Sequence, residues 1–462
     1  MSETPQTAIA EISHAVARLR NAYDSGRTRP LAWRRQQLEG LKAMCTERAD
    51  EFVEALRADF GKPPLEALTM DVSQGKTEAA AALRNLKKWT RPQRIGPIPL
   101  MGRTFVLREP LGVALIISPW NYPIGLLLSP LAGAIAAGNA VMLKPSEVTP
   151  HTSAALARYV PEFLDPEAIA LVEGGVPETT ALLEERFDHI FYTGNGHVGR
   201  IVMEAAAKNL TPVTLELGGK SPCLVDRDAD IAITARRIAW GKFVNAGQTC
   251  IAPDYVLVHR DREEELVGAL EAVTRGFYGE DPKAAPEFAR VVNRRHHERL
   301  AKLLESGRPA FGGEVDAEQN YIAPTVLRGV APDSPIMQEE IFGPILPVLP
   351  VNDMNEAIRF VNERDKPLAL YLFTKDDAVE KKVLQETSSG GACVNGTLMH
   401  IMDARAPFGG VGPSGQGAYH GRHSFETFSH RKTVMKRGFR FDLKLMYPPY
   451  SDRKRKIAQR FM

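Results

Sequence analysis

The sequence predicts an α/β protein with more than one parallel-sheet unit, and three observations carry that expectation. The chain has 462 residues, too many for one ordinary hydrophobic core. From Gly112 onward, short apolar runs alternate with helical segments, the pattern of a parallel sheet covered by helices. One run, at 189–192, opens onto Gly194-Asn195-Gly196-His197-Val198-Gly199, a glycine-rich turn entering a helix.

Taken in order, residues near 30–60 and 70–90 have helical periodicity, with Leu38, Leu41, Phe52, Leu56 and Phe60 on inward faces and breaks at Gly61, Pro63 and Pro92. The stretch 91–108 changes character: three prolines, glycines and short β-branched pieces predict a turn-rich hairpin. After Gly112 come an apolar run at 113–117, a helix around 124–137, a run at 140–143, a helix after Pro150 and a short strand at 170–172. The strand at 189–192 follows, then a helix carrying Val198, Ile201, Val202 and Ala205. This is the layout of a Rossmann-like dinucleotide-binding domain. A second α/β unit is expected from near Val213 to beyond Met402, with strands at 255–258, 325–327 and 368–373, and no internal repeat interrupts it.

Composition narrows the function classes. A chain with 44% hydrophobic and 25% charged residues reads as ordinary globular protein. A formal charge of +2, from 58 basic and 56 acidic residues, gives no reason to expect nucleic acid as a partner. Residues 1–14 lack the basic opening and apolar core of a signal peptide. The most apolar stretch, 111–143, is broken by Pro119, Asn121, Pro123 and Pro130, so no integral membrane anchor is expected. Cys45, Cys223, Cys250 and Cys393 are widely spaced, show no metal-type pattern and suit a reducing cytoplasm. The basic tail, with Arg453, Lys454, Arg455, Lys456 and Arg460, reads as a solvated helix end or a membrane-surface contact.

Candidate chemistry is scattered along the chain. Cys250 lies in Phe243-Val244-Asn245-Ala246-Gly247-Gln248-Thr249-Cys250-Ile251-Ala252-Pro253 and follows Asn-Ala-Gly-Gln-Thr, small and polar residues expected to form a loop opening into a helix, whose dipole would lower a thiol pKa. Cys45, Cys223 and Cys393 read as small buried hydrophobes. Asn121, in Ser-Pro-Trp-Asn-Tyr-Pro, suits either a helix cap or an oxyanion donor. Glu216, in Leu-Glu-Leu-Gly-Gly-Lys, lies 22 residues past Gly194, where a dinucleotide fingerprint expects a ribose ligand. Glu340, in Glu-Glu-Ile-Phe-Gly-Pro, reads at least as a charged turn before a strand. A thiol nucleophile, an amide donor and a carboxylate that activates water are the parts of covalent acyl chemistry at a carbonyl carbon.

Together these motifs resemble the aldehyde dehydrogenase superfamily. The likeness runs from Ala-Asp-Phe-Gly-Lys at 58–62 to Tyr-Pro-Pro-Tyr at 447–450, and the run Pro-Phe-Gly-Gly-Val-Gly-Pro-Ser-Gly-Gln-Gly-Ala-Tyr-His-Gly at 407–421 resembles the class 3 and coniferyl-aldehyde branch. The resemblance implies NAD(P)-dependent oxidation of an aliphatic or aromatic aldehyde, with NAD as the cofactor and NADP a possibility. It assigns Cys250 as nucleophile, Glu216 as general base and Asn121 as oxyanion donor. It places cofactor contacts at Ile117, Ser118, Pro119, Trp120, Lys144, Glu147, Gly194, Asn195, Val198, Glu340 and Phe342, with no metal, and makes His420 structural.

The implied fold has an NAD(P)-binding domain at 1–92 and 109–213, a catalytic domain at 214–428, a bridging or oligomerisation element at 93–108 and 429–445, and a basic tail at 446–462. A homodimer follows from the branch. A coenzyme A-acylating dehydrogenase and a non-catalytic descendant of the fold remain as other readings. Glu216 argues against the first, and the complete set of site residues against the second.

Overall fold

The computed structural model describes residues 6–98, 102–440 and 442–460. The start of the N-terminal stretch, the tip of the 91–108 hairpin, Phe441 and the last two residues of the basic tail lie outside the described residues.

The first sheet has six strands in the spatial order Gly415–Gln416, Val213–Glu216, His189–Thr193, Val113–Ile117, Ala140–Lys144 and Ile169–Leu171. All neighbours are parallel except Gly415–Gln416, which runs antiparallel to Val213–Glu216. Val113–Ile117 and Ala140–Lys144 are buried at every position, because helices cover both faces of a parallel sheet and leave no side for polar alternation. The helix Gly125–Ala137 is buried all round, Pro130 included. It lies among the helices Leu31–Glu47, Ser73–Trp89 and Gly421–Thr427.

Numbered along the chain, the five parallel strands take the order 3-2-1-4-5, so the connections reverse between Val113–Ile117 and His189–Thr193. In such a sheet the reversal opens a crevice at the carboxyl ends of the two central strands. Ser118 and Gly194, the residues just past those ends, border it.

The second sheet has seven strands in the order Arg308–Phe311, Thr325–Arg328, Ile345–Val351, Tyr255–His259, Pro222–Val225, Ala369–Phe373 and Gly391–Val394. Only Arg308–Phe311 is antiparallel to its neighbour. A three-stranded antiparallel sheet joins Gln93–Ile98, Gly102–Pro110 and Ser429–Lys436.

Two differences from the sequence reading have plain causes. Val213–Glu216, expected to open the second unit, pairs with His189–Thr193 in the first sheet; pairing partners are long-range and leave no mark on a single strand. The helix Ile9–Asp24 was hidden by its polar composition, although Ile12, Val16 and Leu19 form a buried stripe at helical spacing. At the other end, Asp452–Gln459 is a helix with no buried residue. Among the described residues no helix is long and apolar enough to cross a membrane.

Candidate active site

Cys250 sits in the connection between the helix Ile231–Phe243 and the strand Tyr255–His259. Asn245 and Ala246 have φ of 54° and 51°, a conformation that costs non-glycine residues energy and recurs at functional sites. Gly247 is required twice over. Its φ is +73°, and a Cβ there would strike the carbonyl oxygen of Gly343, in the loop that carries Glu340 and Phe342.

The expected helix after Cys250 is absent: residues 250–252 form a turn that leads into the strand. The expectation of a lowered thiol pKa is therefore corrected. Burial pushes the Cys250 thiol up, the carboxylates of Glu340 and Glu216 add to the shift, and the backbone N–H groups of Cys250 and Ile251 offset part of it. Small polar residues before a cysteine fit a strained turn as well as a helix start, and the local sequence does not separate the two.

Asn121 is buried in the turn between Val113–Ile117 and Gly125–Ala137. It does not cap the following helix, whose first N–H, from Gly125, donates instead to Asp71 Oδ1 at 2.6 Å. Asn121 Nδ2 donates to the carbonyl of Gln248 at 3.0 Å, and the Tyr122 hydroxyl lies 2.8 Å from Thr249 Oγ1. The Trp-Asn turn is thus bonded to both residues preceding Cys250. An amide nitrogen carries two protons, so one remains after the bond to Gln248.

Glu216 ends the strand Val213–Glu216, is 3% exposed, and neither carboxylate oxygen has a hydrogen-bond partner. Burial raises its pKa well above the ordinary 4.5. Its charge acts on the thiol of Cys250, whereas Lys144 is flanked by Glu147, Glu178 and Glu173. That placement favours chemistry at the sulfur over a ribose contact.

Glu340 packs against the backbone at Gly218, where a Cβ would collide with its carboxylate. Burial raises it to about 8, Asp254 adds to this, and the Gly219 N–H draws it back. Phe342 has φ 51° and meets Trp120 edge-on, with ring centroids 5.3 Å apart.

The remaining cofactor candidates line the crevice of the first sheet. Ile117, Ser118, Pro119 and Trp120 leave one central strand, Gly194 and Asn195 the other, and Lys144 ends the next. Buried hydroxyls at the two central strand ends, Ser118 Oγ and Thr193 Oγ1, have no partner in the protein, which fits a polar ligand there. Asn195 caps the helix Gly196–Ala207, its Oδ1 accepting the Val198 N–H at 3.0 Å. That N–H is spent, so Val198 offers the crevice only its side chain. Lys144 Nζ donates to the carbonyl of Pro145 at 2.7 Å and lies 3.8 Å from the half-exposed Glu147.

Sequence reasoning passed over several residues. Lys62 and Asp71 form a buried ion pair beside Asn121. Glu66, raised to about 7 by burial, accepts the Asn245 N–H at 3.0 Å. Tyr419 is buried with an unpartnered hydroxyl, and the charges of Glu216 and Cys250 act on it. The one available signal was Lys62 beside the paired prolines Pro63 and Pro64, at the end of the Ala-Asp-Phe-Gly-Lys run. His420 Nδ1 lies 2.8 Å from Glu78 Oε1, a packing contact that suits its structural reading. Cys45 and Cys223 are buried and Cys393 is half-buried, all three free.

The aldehyde dehydrogenase family profile matches residues 1–434. The chain is 51% identical over 451 residues to aldehyde dehydrogenase family 3 member A2 of Mus musculus, covering 97% of this chain and 93% of that protein. It is 48% identical to the Mus musculus protein named aldehyde dehydrogenase, dimeric NADP-preferring, over 96% of this chain and 98% of the relative. Among solved structures, Staphylococcus aureus AldH in a substrate-bound state superposes with a TM-score of 0.95 at 41% identity, covering 98% of this chain and 99% of the other. A Mycobacterium tuberculosis aldehyde dehydrogenase complexed with NAD+ superposes at 0.85 with 30% identity, covering 95% and 92%.

Proposed function

The chain belongs to the aldehyde dehydrogenase family, and from that premise we propose that it oxidises an aliphatic or aromatic aldehyde to the carboxylic acid with NAD or NADP. The observation that carries this reading is the convergence of Cys250, the Asn121 amide and the buried, unpartnered Glu216 beside a crevice suited to a dinucleotide.

The Cys250 thiol releases its proton to solvent, and the thiolate attacks the aldehyde carbon to form the thiohemiacetal as its oxyanion. The developing oxyanion is met by the free Asn121 N–H and the Cys250 backbone N–H. A nicotinamide cofactor, when bound, supplies the hydride acceptor. Ser118, Thr193, Gly194, Asn195, Lys144 and Glu147 would hold its phosphate and adenosine portions, and Trp120, Glu340 and Phe342 its nicotinamide end. The thioester left on Cys250 is then hydrolysed by water that loses its proton to Glu216. A carboxylate whose pKa is raised by burial is a stronger base than an ordinary one, which suits that step.

Homodimer formation through the sheet Gln93–Ile98, Gly102–Pro110 and Ser429–Lys436 is part of the proposal. Ser429–Lys436 is an edge strand with mostly exposed residues, an arrangement open to pairing with a second copy, and one relative is named dimeric. A sedimentation measurement returning the mass of a single chain would overturn this. Four free cysteines support work in a reducing compartment, the cytoplasm; cell fractionation that finds the protein elsewhere would contradict that placement.

The activity is tested by incubating purified protein with a panel of aldehydes and each of NAD and NADP while following reduced nicotinamide by absorbance. Reduction coupled to acid formation is expected. Failure across the panel favours a non-catalytic descendant, and acyl transfer on adding coenzyme A favours the acylating reading.

A further inference from the structure

Lys62 and Asp71 both have fully buried side chains. Lys62 Nζ donates to Asp71 Oδ2 at 3.1 Å and to the backbone carbonyl of Asn121 at 3.1 Å. Asp71 Oδ1 accepts the Gly125 N–H at 2.6 Å. One ion pair therefore bonds the turn at Asn121 and at Gly125, the first residue of the helix that follows it.

The same Asn121 carbonyl accepts a second bond, from Asn245 Nδ2 at 3.1 Å, and that nitrogen also donates to the Gln248 carbonyl at 3.1 Å. With the Asn121 amide bonded to Gln248 as well, the turn and the nucleophile loop form one closed polar network. The Lys62 ammonium also sits 3.8 Å from the centre of the Tyr122 ring, whose hydroxyl reaches Thr249.

A fully buried ion pair pays a desolvation penalty that apolar residues of equal volume avoid, so stability alone is a weak account of its presence. What a charged pair supplies and an apolar pair does not is direction. Two donors occupy the Asn121 carbonyl, which sets the plane of the adjoining peptides and with it the exit vector of the side chain. An oxyanion donor works only when its N–H is aimed at the position that the charged oxygen will take.

We propose that Lys62, anchored by Asp71 and assisted by Asn245, is a positioning residue for the reaction, holding the Asn121 amide so that its free N–H meets the oxyanion. This rests on the reading of Asn121 as oxyanion donor.

The test is a double-mutant cycle in the full-length enzyme, combining Lys62→Met with Asn121→Ala and measuring kcat, the aldehyde KM and cofactor Kd. Asn121→Ala is expected to lower kcat by about two to three orders of magnitude. Lys62→Met alone is expected to lower it by about ten- to a hundredfold, the scale of a misplaced catalytic group, with cofactor Kd unchanged. In the Asn121→Ala background the Lys62 change should have less than roughly a twofold further effect, because the group it positions is gone. Equal losses in both backgrounds, or no loss in the parent enzyme, overturn the positioning role. An unchanged kcat in Asn121→Ala overturns the oxyanion reading itself, a separate result. Should Lys62→Met not accumulate as folded protein, Asn245→Gly runs the same cycle, since glycine accepts the positive φ at 245 and the change removes the Nδ2 donor to the Asn121 and Gln248 carbonyls; additive losses there also overturn the proposal.

Discussion

Ser118 and Gly194, on the proposed cofactor side of the site, each follow the last residue of a regular parallel strand, while Cys250, on the other side, lies in a loop where the non-glycine residues Asn245 and Ala246 have positive φ. The first arrangement comes from chain topology: the strand order opens the crevice at strand ends where Ser118 Oγ and Thr193 Oγ1 are buried without partners. The second is held by contacts from distant segments. Glu66 accepts the Asn245 N–H, Gln248 accepts the Asn121 amide, and Gly343 presses on Gly247. A site half built on regular elements tolerates change at its rim. A site half built on a strained loop concentrates its function in a few buried atoms.

That contrast breaks if changes on the two sides behave alike. The largest expected effect is at the sulfur. Cys250→Ala removes the proposed nucleophile and should abolish aldehyde oxidation while NAD binding, measured by fluorescence or calorimetry, persists. Loss of both together would mean that the two sides are not separable.

Next is Glu216→Gln, which should permit one rapid turnover and then stall with the acyl group retained on the protein, visible as a mass increase. Its pH behaviour has a definite sign. The folded-state pKa of Glu216 is raised above 4.5 by burial, so the folded protein holds this proton more tightly than the unfolded chain does. The contribution to stability is intact below pH 4.5 and is lost as pH rises through the raised value. The active base accumulates over that same rise. Glutamine has no such titration, so the Tm of Glu216→Gln relative to the parent should increase with pH from about the ordinary carboxylate range upward; a constant difference would show that Glu216 is not held protonated.

Gly247→Ala comes third. A Cβ at φ +73° meeting the Gly343 carbonyl should cost about 1–2 kcal/mol from the backbone and more from the collision, read by chemical denaturation. It should also lower kcat, since it displaces the nucleophile loop.

The smallest effect is expected on the cofactor side. Glu147 is half-exposed and 3.8 Å from Lys144. Glu147→Gln removes a charge that would repel a 2′-phosphate and should shift kcat/KM toward NADP over NAD by no more than roughly tenfold, because solvent screens it. A larger shift, or a loss of turnover comparable with Glu216→Gln, would sharpen the comparison against topology as the main determinant on this side.

Local sequence was enough for the apolar runs of the first sheet from Val113–Ile117 to His189–Thr193, for Tyr255–His259, Thr325–Arg328 and Ala369–Phe373 in the second, for the helix that carries Val198 and Val202, and for the glycine-rich turn after His189–Thr193; Pro222–Val225, Ile345–Val351 and Gly391–Val394 went unread. Each element that was read has a period or a composition of its own, set by burial on one or both faces. The candidates Cys250, Asn121, Glu216 and Glu340 could be singled out because the short runs around them resemble aldehyde dehydrogenase motifs. Other features became visible only in the folded chain. They are the pairing of Val213–Glu216 into the first sheet, the turn in place of a helix after Cys250, the upward shift of its thiol and the grip of Lys62 and Asp71 on the Asn121 turn. The physical reason is the range of the interactions. Periodicity and turn chemistry act over a few neighbouring residues, whereas desolvation, strand pairing and a buried hydrogen-bond network depend on which distant segments close around each atom.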